Sequence, residues 1–124
     1  MENTIIVFQA DNGPTDGGNA FPLRGTKSEY AEGGVRVPAF VVGPGIPADT
    51  TLHRTEFLHL TDWIPTFLDF AGADLSTYDM DWDGHSFKDV FLNGTPSPRE
   101  DLAHQITMER KVSVQQWLHR CALI

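Results

Sequence analysis

The segment Thr4-Ile5-Ile6-Val7-Phe8-Gln9-Ala10 constrains this chain most: an unbroken β-branched and apolar run that stops at Asp11-Asn12-Gly13-Pro14. Alternation of polar and apolar residues marks a strand with one wet face. A continuous apolar run instead predicts a strand covered on both faces, as in a sheet sandwiched between helices. The turn that ends it is abrupt, because Asn and Gly tolerate positive φ and Pro cannot extend a strand. A second strand is expected over Val35-Arg36-Val37-Pro38-Ala39-Phe40-Val41-Val42, with Pro38 near its start or on an edge because it has no N–H to donate. Gly43-Pro44-Gly45-Ile46-Pro47 closes it.

Helical spacing appears further on. Thr61 reads as an N-cap with Asp62 in the first turn, and Ile64, Phe67, Leu68 and Ala71 fall on one face, stopped by Gly72. A shorter helix is expected after Ser86, with Asp89 completing a capping box, Phe87, Val90 and Phe91 on its apolar side, and Gly94 at its end. Leu102 to Ile106 suggests a short strand, and Val114, Trp117, Leu118 and Cys121 suggest a terminal helix. Strands separated by helices define an α/β layer arrangement with a sheet edge left for more chain or a partner to cover.

Bulk properties remove several function classes. The length of 124 residues allows one domain, and the net charge of -8 opposes binding to nucleic acid, which needs a basic face. An anionic substrate would have to be drawn in by a metal or a placed cation, against the overall field. Cys121 is the single cysteine, so no intrachain disulfide forms. No apolar stretch is long enough to span a bilayer, and Met1-Glu2-Asn3-Thr4 has no basic region of the signal-peptide kind. Asn93-Gly94-Thr95 is a glycosylation sequon, followed directly by Pro96.

Chemistry concentrates between the two strands. Asp11 and Asn12 stand where a buried strand ends, the usual place for a site in an α/β sheet. Their oxygens are hard donors suited to Ca²⁺ or Mg²⁺, although calcium takes about six to eight oxygens, and Asp-Asn-Gly is also a common turn. The stretch from there to Gly34 is long and without periodicity, which in a compact domain marks either function or disorder. Lys27 within it is by itself either a solvated loop lysine or an anion contact. Arg24 and Arg36 are expected to pair with Glu29 or Glu32. His59 is expected to be packed and hydrogen-bonded, Asp62 to act as a helix-start acid before a ligand, and Trp63 and Phe67 to be core.

Four motifs in order carry a family resemblance: Asp11-Asn12-Gly13, Pro22-Leu23-Arg24-Gly25-Thr26-Lys27, Glu32-Gly33-Gly34-Val35-Arg36 and His59-Leu60-Thr61-Asp62-Trp63-Ile64-Pro65-Thr66. Asp83-Gly84 and Ser97-Pro98-Arg99 also fall where the family has similar residues. This pattern resembles the arylsulfatases, most closely those of N-acetylgalactosamine-4-sulfatase (arylsulfatase B) type. The resemblance covers about residues 3–106. It implies that residues 1–106 form the C-terminal part of a sulfatase catalytic domain, a partial alkaline-phosphatase-like α/β fold with a mixed sheet flanked by helices, and that 107–124 is a divergent tail. It further implies that Asp11 and Asn12 ligate a divalent cation, usually Ca²⁺, and that Lys27 contacts the sulfate of a sulfated sugar or aryl sulfate. The family nucleophile is a formylglycine made in a Cys-x-Pro-Ser-Arg motif. Cys121-Ala122-Leu123-Ile124 does not fit it, so that group is expected in the remainder of a sulfatase chain. The expected location is lysosomal or secreted. Two other readings stand beside this one: a non-catalytic structural or binding remnant, and a phosphodiesterase or phosphonate hydrolase relative.

Overall fold

The computed structural model describes residues 2–48, 56–106 and, as backbone, 112–116. Strand β1 spans Ile6–Gln9, the single helical turn α1 Glu32–Val35, and strand β2 Ala39–Val42. A 3₁₀ turn over Leu60–Asp62 runs directly into helix α2, Trp63–Phe70. Another 3₁₀ turn, Leu75–Thr77, precedes helix α3, Lys88–Asn93, and strands β3, Asp101–Ile106, and β4, Val112–Gln116, follow.

The described strands do not form one mixed sheet. They form two separate two-stranded antiparallel pairs, β1 with β2 and β3 with β4. In the first pair Ile6 faces Val42, Val7 faces Val41, Phe8 faces Phe40 and Gln9 faces Ala39. A second correction concerns coverage. The face carrying Val7, Val41 and Ala39 packs on Leu58, Trp63, Phe87, Val90 and Phe91, which form the core. The face carrying Ile6, Phe8, Phe40 and Val42 is exposed. The apolar run therefore has only one of its two faces covered within the described residues.

Several local expectations shift for identifiable reasons. Val35 ends α1 and the strand starts at Ala39, with Pro38 just ahead of it accepting the Ala10 amide at 3.1 Å. The α2 cap lies at His59, not Thr61: the His59 ring accepts from the Thr61 amide, and the Asp62 carboxylate accepts the His59 amide at 2.7 Å. Helix α2 buries Trp63, Pro65 and Thr66, with Phe70 half-buried, while Ile64 and Phe67 are 62% and 45% exposed. The helix carries two apolar stripes, and Trp63 decides which turns inward. Its indole stacks on Phe91 at 5.8 Å and its N–H donates to the Gln9 side chain at 2.6 Å, so this ring takes the core. Phe67 is thus not a core residue.

Helix α3 buries Phe87, Val90 and Phe91 as its spacing predicts, and Gly94 ends it in the left-handed region at φ 69°. The Ser86–Asp89 capping box does not form. The Ser86 hydroxyl instead donates to Asp69 Oδ2 at 2.6 Å, and Asp89 accepts from Asn93 at 3.1 Å. Lys88 adds an ion pair to Asp69 at 3.0 Å, which ties α3 to the end of α2. Val114, expected in a helix, lies in β4; Trp117, Leu118 and Cys121 lie outside the described residues.

The assignment of stripes is testable by substitution. Phe91→Ala should destabilise the chain by about 3–5 kcal/mol, the usual cost of removing a buried aromatic ring. Phe67→Ala should cost less, about 1 kcal/mol, because Phe67 is 45% exposed and its ring lies outside the core. Urea melts followed by tryptophan fluorescence distinguish the two, and equal losses would contradict the observed orientation of α2.

Candidate active site

The loop between β1 and β2 is held by its own backbone. The Gly13 amide donates to Gly34 at 2.9 Å, Gly33 to Arg24 at 2.7 Å, and Lys27 to Pro14 at 3.0 Å. The segments approach so closely that a side chain at Gly13 would overlap the Gly33 carbonyl, and one at Gly33 would overlap the Gly25 carbonyl. Glycine is thus a steric requirement at both positions, and the Glu32-Gly33-Gly34 turn sits directly behind Asp11-Asn12-Gly13. Arg36 pairs with Glu32 at 3.0 Å one turn away, as expected from charge, whereas Glu29 caps the local turn by accepting the Thr26 amide at 2.8 Å. These bonds make the loop an ordered platform despite its lack of sequence periodicity.

This platform and the α2 cap enclose a cavity of about 400 Å³ whose walls include Asp11, Asn12, Leu60, His59 and His104. The Asn12 amide nitrogen donates to the Gly13 carbonyl at 2.8 Å, which leaves its side-chain oxygen to act as an acceptor. Asp11 is exposed beside it. The pair fits a hard cation in donor chemistry and falls short in number. Among the described residues, no group of three or more His, Cys, Asp or Glu side chains is arranged to hold a metal. Lys27 does not line this cavity. Its backbone amide donates to Pro14, which lines a second cavity of about 570 Å³ together with Arg36 and Asn12, and Lys27 does not line that cavity either. Asn12 is common to both cavities, so Asp11 and Asn12 come together while Lys27 stands to one side.

Below the cavity lies an arrangement whose centre is Asp62. Its carboxylate is fully buried and accepts four hydrogen bonds: the His59 amide at 2.7 Å, the His85 amide at 2.8 Å, and Arg99 Nε and Nη2 at 3.0 and 2.6 Å. Arg99 Nη2 also donates to the Asp83 carbonyl at 2.7 Å. All the lone-pair directions of Asp62 are thus taken by protein donors, and it serves as a structural anchor and not a ligand. Arg99 is the residue that sequence reasoning undervalued. The signal available was the Ser97-Pro98-Arg99 triplet together with a helix-start acid lacking any local cation.

His59 is held below the ordinary imidazole range, first by burial and then by the nearby Arg99 guanidinium, with Asp62 opposing and His104 adding to the depression. The cavity wall therefore carries a neutral imidazole near pH 7. His104 also approaches Tyr30, ring centroids 6.3 Å apart, so β3 and the loop meet at the cavity rim.

Comparison with known proteins names the class that this fold and site belong to. A family model described as Sulfatase matches residues 1–73, and the chain belongs to the sulfatase family. The chain is similar to mouse arylsulfatase J, 40% identical over 106 residues that cover 84% of this chain and 17% of that protein. It is also similar to an arylsulfatase of Hemicentrotus pulcherrimus, 42% identical over 82% of this chain and 19% of the relative, and to human arylsulfatase A, 36% identical over 82% and 20%. The chain thus spans about a fifth of the length of these relatives. No helix among the described residues is long and apolar enough to cross a membrane.

Two measurements check the anchor. Arg99→Ala should cost about 3–5 kcal/mol, because it strands a buried carboxylate. For His59, the depressed folded pKa means that the unfolded chain binds the proton more readily. Its contribution is complete above the unfolded value of about 6.5 and is lost as pH falls through 6.5 toward the lower folded pKa. Denaturant midpoints measured between about pH 7.5 and 5.5 should fall for the native chain and fall less for His59→Asn, which keeps a capping oxygen.

Proposed function

We propose that this chain supplies one wall of a sulfate-ester hydrolysing centre. Asp11 and Asn12 would hold a divalent cation, usually Ca²⁺, Lys27 would contact the sulfate, and the formylglycine nucleophile would come from the remainder of a sulfatase domain. The observation that carries this reading is the placement of Asp11 and Asn12 together in one cavity at the carboxyl end of β1, in a chain of the sulfatase family. The chain's net charge of -8 opposes the approach of a sulfate ester, so attraction must be local. A cation supplies positive charge opposite the sulfate oxygens and the leaving oxygen. The Asn12 amide nitrogen is engaged by Gly13, and its oxygen would be the donor to such an ion. Lys27 would add a compact point charge on a long side chain, suited to a group whose negative charge is spread over several oxygens. Neutral His59 keeps a second positive charge out of the cavity wall without contributing a carboxylate that would repel the substrate.

The substrate class is a sulfated sugar or an aryl sulfate, as the arylsulfatase names of the relatives suggest. Family membership favours sulfate esters over the phosphodiester reading. A lysosomal or secreted location fits the same relatives, and the exposed Asn93 at the end of α3 is placed where a glycan could be carried.

By itself the chain should bind Ca²⁺ only weakly and turn nothing over. Calcium titration followed by amide NMR shifts should perturb Asp11 to Gly13 with millimolar-order affinity, in keeping with a two-ligand site, and Asp11→Ala should abolish the effect. Turnover of 4-nitrophenyl sulfate by the pure chain, lost in Lys27→Ala, would refute the shared-site reading.

A further inference from the structure

Phe21 is 84% exposed, more than any other large apolar side chain among the described residues. A lone exposed ring is ordinary on a protein surface. This one belongs to an ordered turn and stands in the wall of a cavity. Its amide donates to Asn19 Oδ1 at 2.8 Å, and the Leu23 amide donates to the Ala20 carbonyl at 2.8 Å, so the turn is held on both sides of the ring. The cavity is the one of about 570 Å³ that includes Asn12, a size usual for small-ligand sites. Pro22 and Leu23 extend its apolar wall, and Asn12, Asn19 and Arg36 are its polar side chains. The bond from the Phe21 amide engages the Asn19 oxygen and leaves the Asn19 NH2 as a donor. Arg36 commits one guanidinium nitrogen to Glu32 at 3.0 Å.

We infer that this second cavity is a sugar subsite. The pyranose ring of a sulfated sugar lies with its C–H face on Phe21, its hydroxyls meet the Asn19 amide and the Arg36 guanidinium, and its sulfate reaches the Asp11–Asn12 pair. This rests on the function proposed above and deepens it: it selects a sulfated sugar over an aryl sulfate and gives Phe21, Asn19 and Arg36 the part of setting specificity. Two observations point to a sugar. The first is continuity, because Asn12 is in the wall of both cavities, and a ring held in the second stands next to the candidate cation ligands. The second is composition. A pyranose has an apolar C–H face and a rim of hydroxyls, and an aromatic ring open on one side with an amide and a guanidinium beside it matches both. A plain aryl group laid over the same wall would cover those donors and offer them no acceptor, which costs binding energy.

The experiment titrates the full chain, with Ca²⁺ present, with galactose 6-sulfate, ethyl sulfate and 4-nitrophenyl sulfate, and reads NMR shifts of the protein and saturation transfer to the ligand. Galactose 6-sulfate should shift the Phe21 ring and the Asn19 side-chain amide together with Asp11 to Gly13, and saturation should be strongest at the C–H protons of one sugar face. Phe21→Leu should weaken its binding about fivefold or more, while Phe21→Trp, which keeps a ring face, should preserve it. Asn19→Asp retains the oxygen that accepts the Phe21 amide and replaces the donor by a carboxylate, so binding should fall about tenfold with the turn intact. Ethyl sulfate, which has no ring, should be indifferent to Phe21→Leu. The inference is overturned if galactose 6-sulfate does not bind, if it binds equally well to Phe21→Leu, or if 4-nitrophenyl sulfate displaces it from Phe21 at lower concentration. Self-association of the chain that Phe21→Leu disperses would overturn it too, by giving the ring another occupant. Shifts at Asp11 to Gly13 with every sulfate and none at residues 19–23 would overturn the subsite and leave the cation reading standing. Sugar contacts that need Phe21 but neither Ca²⁺ nor Asp11 would support the subsite and refute that reading.

Discussion

The buried pair Asp62–Arg99 is the interaction on which the rest of this structure depends. A carboxylate with no exposed surface would be prohibitively costly without donors on every side, and here three chain segments provide them. The His59 amide comes from the approach to α2, the His85 amide from the segment before α3, and the guanidinium from the stretch that leads into β3. Satisfying one charge therefore fixes the relative positions of α2, α3 and β3. Thr66 repeats the device on a smaller scale: its hydroxyl donates to the Asp62 carbonyl at 2.5 Å and accepts the Phe87 amide at 2.9 Å.

That framework sets the candidate site. His59 and Leu60 reach the cavity because the cap of α2 is pinned by Asp62, and His104 reaches it because β3 begins just after Arg99. The opposite wall has a different origin. Asp11 and Asn12 are held by a loop whose stability is almost wholly backbone hydrogen bonding between glycine-rich segments in close contact. One wall is thus positioned by electrostatics and the other by steric permission, and the oxygens of Asp11 and Asn12 stand on the second.

Some of this was legible from residue types alone. The strand leading to Asp11-Asn12, the apolar side of α3, the left-handed stop at Gly94 and the Arg36–Glu32 pair are all local: each depends on residues within a few positions, and each is observed. What failed was local evidence with more than one solution. Helix α2 has two apolar stripes, and only the Trp63 contacts with Gln9 and Phe91 choose between them. Ser86 and Asp89 have capping-box spacing, but Ser86 finds a stronger acceptor in the distant Asp69 carboxylate.

The sequence by itself determined that this is a sulfatase-type chain, roughly where β1, β2, α2 and α3 lie, and that hard oxygen donors follow β1. These are properties of short segments and their order. Only the tertiary structure decided that Asp62 is an anchor satisfied by Arg99, that Lys27 stands beside and not within the Asp11–Asn12 cavity, and that the strands pair antiparallel with one apolar face uncovered. The physical reason is that pairing, burial and charge satisfaction are settled between residues tens of positions apart, by which partner is within reach once the chain has closed on itself.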